Sequence, residues 1–166
     1  MSHRNLLAVT LASICTLSSL SAGAQPNPPG FPTQPKFSKL MELYIDIFNA
    51  HEFDRFDEIF SEDYLLVSTA GTFQGRDNVA ALMEGFVEAF PDLTYTFEEI
   101  LVDGNNVVIR YSWSGTNTGS FMGMPPSNNE VSCTGLEIDR IADGRIVETQ
   151  NFTDMHCLLT SITPPP

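Results

Sequence analysis

The chain has 166 residues, of which 42% are hydrophobic and 17% charged. This size and composition predict one globular domain and exclude a disordered chain. The formal net charge is −13, which argues against binding to nucleic acid or to an anionic membrane, since both require basic surfaces. A small neutral or aromatic ligand is compatible with this charge.

The first 24 residues predict a signal peptide. Arg4 precedes an apolar run over residues 6–20, and a run of about 15 residues is shorter than the roughly 20 that cross a bilayer. Ala22 and Ala24 fit a signal-peptidase site before Gln25. We therefore expect export, with a secreted or periplasmic mature protein that does not associate with membrane. An uncleaved N-terminal anchor is the alternative.

Proline-rich segments flank the predicted domain. Residues 25–36 contain five prolines and no hydrophobic periodicity, which predicts a linker without regular structure. Residues 164–166 are all proline and can continue neither a helix nor a strand. The folded domain is therefore expected over residues 37–163.

Three helices are predicted in the first half of this domain, each from apolar residues spaced three and four apart. The first carries on one face Phe37, Leu40, Met41, Tyr44, Ile47 and Phe48. The second is short and carries Phe53, Phe56, Ile59 and Phe60. A short strand over residues 64–68 and a loop follow. The third helix starts near Asp77, ends at Pro91, and carries Val79, Leu82, Met83, Phe86 and Phe90.

Strands dominate the second half of the domain. They are predicted over residues 94–102, 107–114, 131–141 and 145–153, with a final helical turn over 155–162. The turn at Asp143-Gly144 sets Ala142 opposite Arg145. A regular ladder from that turn places Glu137 opposite Gln150 and Cys133 opposite Asp154.

This order of elements predicts an α+β domain, in which three N-terminal helices pack on a curved, mostly antiparallel sheet. A bent sheet closed by helices forms a cone-shaped α+β barrel with an apolar interior. Beyond the signal peptide the chain has two cysteines, Cys133 and Cys157, and export permits a disulfide between them. Neither cysteine has a metal-site spacing, so no metal is expected.

Four segments of the chain resemble the SnoaL-like polyketide cyclases, also called the ester cyclase group. Residues 86–93 (FVEAFPDL) resemble the "afPDl" signature, and residues 107–117 (VVIRYSWSGTN) resemble the "V-a-x-R-x-x-x-x-G-T-H" strand. Residues 118–126 (TGSFMGMPP) are similar to "x-G-x-f-x-G-i-P-P", and residues 138–148 (IDRIADGRIVE) to the family's DG hairpin. Asp154 falls where the family's "h-W-x-x-x-D" motif ends.

The resemblance implies the nuclear-transport-factor-two-like fold, usually a homodimer, and chemistry without a metal or organic cofactor. It also implies that an aspartate at the position of Asp154 removes an acidic proton from a polyketide ester, after which an aldol reaction closes a ring. Burial in an apolar cavity raises the pKa of a carboxyl and suits it to this role. Asp154 is therefore the predicted catalytic residue; the alternative is that it caps the terminal helical turn.

The candidate substrate-binding residues are Arg110, Trp113, Asn117, Phe121, Met124 and Gln150. The polar ones could stabilise an enolate oxygen, and the apolar ones could line an entrance; plain structural roles are open for each. The family usually has histidine at position 117 and often tryptophan at 150, which leaves catalysis open. Two alternatives follow: a non-catalytic protein that binds a small ligand, and an isomerase or epoxide hydrolase built from Tyr44, Tyr111, Arg110 and Asp154.

Overall fold

The structure, a computed structural model, describes residues 35–163. The predicted signal peptide over 1–24 and most of the predicted linker lie outside the described residues. The helices are α1 (Pro35–Ala50), a 3₁₀ helix (Phe53–Glu58), α2 (Arg76–Ala89) and α3 (Met155–Ile162). The strands are β1 (Phe60–Ser68), β2 (Gly71–Gln74), β3 (Thr94–Asp103), β4 (Asn106–Thr116), β5 (Glu130–Ala142) and β6 (Arg145–Thr153).

The six strands form one curved, mostly antiparallel sheet in the order β2-β1-β6-β5-β4-β3, and the predicted α+β class is confirmed. Among the strand pairs of the described residues, β1 and β6 form the one parallel pair. Helix α1 packs against β3 and α2 against β1. The apolar face predicted for α1 is buried in the core between helices and sheet.

Two details at the N-terminal end differ from the predicted elements. Helix α1 begins at Pro35, inside the predicted linker, because proline is tolerated in a first helical turn where its missing N–H is not needed. Strand β2 occupies a segment predicted as a loop. It is four residues long and mostly exposed, so it lacks the apolar alternation that identifies a strand. No helix within residues 35–163 is long and apolar enough to cross a membrane.

The β5–β6 hairpin departs from the predicted register by one residue. Ala142 faces Arg145, as predicted, but a bulge at Val147 shifts every later pair. Glu137 consequently faces Asn151, and the prediction that it faces Gln150 is wrong.

The slip exchanges the two faces of β6, because alternate residues of a strand point to opposite sides. Thr149, Asn151 and Thr153 contribute to the interior, whereas Gln150 is exposed. The ladder ends at the pair of Gly135 and Thr153, so the predicted pairing of Cys133 with Asp154 is also wrong.

A disulfide joins Cys133 of β5 to Cys157 of α3, with 5.9 Å between their Cα atoms. The bond closes a loop with a sequence separation of 24 residues. It ties the last helix to the sheet, and this helix brings Met155 and Leu158 to the interior cavity described below.

Removing this disulfide should destabilise the domain. The pair of changes Cys133→Ala and Cys157→Ala should lower the free energy of unfolding by about 2–4 kcal/mol, since the cross-link restricts the unfolded chain. Chemical denaturation with and without reductant measures the effect. Reductant should lower the free energy of unfolding of the wild type and leave that of the double variant unchanged. Equal stability of the wild type and the double variant in the absence of reductant would contradict the prediction.

Candidate active site

A cavity of about 520 Å³ lies between the helices and the inner face of the sheet. Its walls are mostly apolar and include all four tyrosines and the single tryptophan of the chain. These side chains are Tyr44, Tyr64, Tyr95, Tyr111 and Trp113. A volume in this range holds a small organic molecule, and the walls favour an apolar or aromatic one.

Among residues 35–163, Glu137 is the one acidic residue that lines this cavity. Its side chain extends from the inner face of β5 and is only 4% exposed. Burial raises the pKa of Glu137 to about 7, although hydrogen bonds from Asn151 and Tyr44 oppose the rise. At neutral pH this carboxyl can therefore both accept and donate a proton.

Hydrogen bonds among Thr153, Asn151 and Tyr111 fix the orientation of the Asn151 amide, which donates to Glu137. Thr153 Oγ1 donates to Asn151 Oδ1 at 2.8 Å, so the Tyr111 hydroxyl, 2.8 Å from Thr153 Oγ1, is the donor in that contact. Asn151 Nδ2 then donates to Tyr111 Oη at 2.9 Å and to Glu137 Oε2 at 3.2 Å. Gly135, opposite Tyr111 on β5, leaves the space that the tyrosine ring fills.

A second acid, Asp139, lies behind Glu137. It is two residues further along β5 on the same face and is completely buried. Thr149 Oγ1 donates to its Oδ1, while its Oδ2 accepts no hydrogen bond. Burial raises the pKa of Asp139 well above its usual value, and the negative charge of Glu137 raises it further. Both effects favour the protonated form of Asp139.

The tyrosines around Glu137 remain neutral donors. Burial, with a smaller contribution from Glu137, raises the pKa of Tyr111 to about 12. Burial likewise raises the pKa of Tyr44 and of Tyr64 well above the usual value. The cavity thus combines one carboxyl that titrates near neutrality with hydroxyl groups that do not.

Asn117 organises the loop between β4 and β5 and does not line the cavity. It is buried, donates from Nδ2 to the Gly119 carbonyl at 2.9 Å, and accepts at Oδ1 from the Ser127 amide at 2.9 Å. These bonds join the two ends of the loop. The loop in turn carries Phe121, whose ring contacts Phe86 at the cavity wall.

The structure separates the remaining predicted site residues into two groups. Trp113 and Phe121 line the cavity, whereas Met124 packs against the core without lining it. Arg110 is exposed and 3.5 Å from Glu99, and Gln150 is exposed beside Glu148. Neither polar side chain reaches the cavity, because the strand parity turns both outward.

Asp154 lies at the N-terminus of α3, in an exposed position. Its Oδ1 accepts a hydrogen bond from the Cys157 amide at 2.9 Å. Of the two roles considered for Asp154, the structure therefore shows the helix cap. The residue does not line the cavity, although its neighbours Thr153 and Met155 do.

The cavity acid was not among the predicted site residues, although the sequence contains a signal for it. Inward positions of β5 alternate, beginning with Val131 and Cys133 and ending with Ile141. Glu137 and Asp139 have the same parity as these apolar residues. Two acids at inward positions of a strand indicate either a strained core or a functional site.

A family model described as SnoaL-like polyketide cyclase matches residues 38–162. No curated protein is similar enough to count as a match. The described fold and the match agree, since solved structures of candidate polyketide cyclases superpose on this chain. Within residues 35–163, no cluster of three or more His, Cys, Asp or Glu could hold a metal ion.

Three solved structures illustrate the similarity. A candidate SnoaL-like polyketide cyclase from Jannaschia sp. CCS1 is 26% identical, covers 82% of this chain and 100% of its own, and has a TM-score of 0.72. IdmH, a candidate polyketide cyclase from Streptomyces antibioticus, is 26% identical over 77% of this chain and 98% of its own, with a TM-score of 0.67. AclR, a candidate hydroxylase from Streptomyces galilaeus, is 28% identical, covers 74% of this chain and 91% of its own, and has a TM-score of 0.66.

Replacing the cavity acid should stabilise the protein at high pH. Burial raises the pKa of Glu137 from 4.5 to about 7, so the unfolded chain loses this proton first and stability falls as pH rises through that window. Glu137→Gln should therefore match the wild type near pH 4 and exceed its stability by roughly 3 kcal/mol at pH 8.

Denaturant unfolding at a series of pH values measures this difference. Glu130→Gln, which alters an exposed carboxyl of the same strand, is the matched control and should show a much smaller pH-dependent difference. A stability gap between Glu137→Gln and wild type that stays constant from pH 4 to pH 8 would show that the Glu137 carboxyl is not buried as described.

Proposed function

Because this chain belongs to the SnoaL-like polyketide cyclase family, we propose that it acts on a small apolar or aromatic carbonyl compound, with Glu137 as the proton-transferring residue. The observation that carries the proposal is a buried carboxyl in an aromatic cavity, held by Asn151. Family membership and the similarity to polyketide cyclases support a cyclase-type enzyme.

The proposed reaction begins with the ionised Glu137 removing a proton from the carbon next to the substrate carbonyl. The C–H bonding electrons delocalise onto the carbonyl, which forms an enolate. A neutral hydroxyl such as that of Tyr44 can stabilise the enolate oxygen. In an aldol cyclisation the enolate carbon then attacks a second carbonyl, a C–C bond forms, and the new alkoxide takes the proton back from Glu137. In an isomerisation the proton returns to a different carbon. Neither route needs an oxidant or a reductant.

The low polarity of the cavity explains why a glutamate would suffice without histidine partners. A carboxylate that is poorly solvated is a stronger base, and with a pKa near 7 its protonated form is also populated at neutral pH and can act as an acid. Asn151 orients one carboxyl oxygen through its hydrogen bond. Under this proposal Glu137 replaces Asp154 as the acid and base.

A non-catalytic, ligand-binding protein on the same scaffold is the second candidate function. Two observations favour it: Asp154 caps a helix outside the cavity, and Asn117, at a position where the family usually has histidine, holds a loop. Under this candidate function the cavity binds the same class of compound without turnover.

Export is part of the proposal as well. Residues 1–24 have the pattern of a signal peptide, and the Cys133–Cys157 disulfide suits an oxidising compartment. We propose that the mature protein is secreted or periplasmic.

Deuterium exchange tests the chemistry without knowledge of the natural substrate. Proton NMR in D₂O follows loss of the acidic proton of an aromatic β-keto ester. The wild type should accelerate exchange, and Glu137→Gln should reduce the acceleration by about 100-fold or more, since general acid–base catalysis contributes about 10²–10⁴-fold. The rate should rise with pH through about 7 as Glu137 ionises.

Two further variants decide between the assignments. Glu130→Gln is the matched control and should exchange like the wild type, while Asp154→Asn tests the role that the family resemblance implied. Loss of exchange in Asp154→Asn with full exchange in Glu137→Gln would restore Asp154 as the catalytic residue. Binding of the ester without accelerated exchange would favour the ligand-binding protein.

We also propose a homodimer that forms through the outer face of the sheet. Leu136 and Phe152 face each other across β5 and β6 on the side opposite the cavity, and Phe152 is 54% exposed. Ile138 adds a further exposed apolar group. An apolar patch of this kind on an otherwise strongly acidic chain indicates an interface.

Light scattering after size-exclusion chromatography tests the dimer. The wild type should elute as a dimer, and Phe152→Lys should shift it to a monomer, because each interface would then bury two unpaired charges. Leu159→Lys, at an exposed apolar residue of α3, is the matched control and should remain dimeric. A monomeric wild type at micromolar concentration would refute the proposal.

A further inference from the structure

The Glu137 carboxyl can accept a further hydrogen bond from a ligand. Its Oε2 accepts from Asn151, whereas its buried Oε1 has no partner at standard hydrogen-bond geometry, and Tyr44 contributes less to holding the carboxyl than Asn151 does. A buried acceptor without a partner costs about 1–3 kcal/mol. Because Glu137 lines the cavity, a donor carried by a ligand can remove that cost.

No basic side chain of the described lining balances the charge of Glu137. The cavity lining among residues 35–163 contains no lysine, arginine or histidine. The chain as a whole carries a net charge of −13. An anionic ligand would be repelled in this poorly screened interior, and a cationic one would be attracted.

The aromatic walls add a second preference for a cation. Four tyrosines, Tyr44, Tyr64, Tyr95 and Tyr111, line the cavity together with Glu137. The face of an aromatic ring attracts an ammonium group, and the attraction grows when the cation is desolvated. A cation next to Glu137 would therefore meet both a carboxylate and aromatic rings.

We propose that the cavity binds arylalkylamines, with the ammonium group paired to Glu137 and the aromatic ring packed among the cavity's aromatic side chains. This inference goes beyond the proposed enzyme, because it concerns binding and requires no turnover. It predicts that the site ranks ligands of one shape by charge, with the cation first, the neutral compound second and the anion last.

The ranking depends on pH because the amine and Glu137 ionise in different ranges. An alkylamine stays protonated up to about pH 10, while the Glu137 carboxyl loses its proton near pH 7. The other titratable groups facing Glu137 are the four tyrosines and Asp139, and burial raises the pKa of each, which favours their neutral forms. The preference for the amine should therefore grow over that interval.

Isothermal titration calorimetry with three matched probes tests the proposal. The probes are 3-phenylpropylamine, 3-phenylpropanol and 3-phenylpropanoate, which share a ring and a chain. At pH 8 the amine should bind about 10- to 100-fold more tightly than the alcohol, which is the ratio expected for a hydrogen bond to a charged group. The carboxylate should bind most weakly, and the advantage of the amine should shrink at pH 6.

Variants separate the charge of Glu137 from the integrity of the cavity. Glu137→Gln should abolish the preference for the amine while the alcohol still binds, which also shows that the variant is folded. Glu130→Gln should keep the preference. The proposal is overturned if the amine binds no more tightly than the alcohol at pH 8, or if Glu137→Gln retains the preference. Amine selectivity without deuterium exchange would overturn the enzyme proposal alone, and exchange without amine selectivity would overturn this one alone.

Discussion

The hydrogen bond from Asn151 to Glu137 connects the sheet register to the chemistry of the cavity. It exists because the bulge at Val147 shifts β6 by one residue against β5. Without the bulge, Gln150 would face Glu137, and the residues that now line the cavity would point outward. One extra residue in a hairpin therefore decides which side chains surround the buried acid.

The two buried acids of β5 lower the stability of the fold. Glu137 and Asp139 occupy inward positions of β5 that apolar residues would fill more favourably. No basic side chain of the described cavity lining compensates them. A protein that needed only a stable core would gain from replacing both, and buried acids retained against that cost are the pattern typical of a functional site.

The family relationship accounts for the scaffold more fully than for the site. The match over residues 38–162 and the superposition on solved cyclases agree with the cone-shaped fold. The residue that the resemblance marks for catalysis, Asp154, caps α3. A fold can be retained while its functional groups change, and the acid proposed for this chain, Glu137, lies on β5.

The amino-acid sequence by itself determined the α+β class, the three N-terminal helices and the four long strands, since these follow from local apolar periodicity and turn residues. It also contained the parity that turns Glu137 inward. The tertiary structure alone decided the bulge at Val147, the pairing of Glu137 with Asn151 and the cap at Asp154. Register beyond a bulge depends on packing between strands distant in sequence, and no local pattern records whether a ladder slips by one residue.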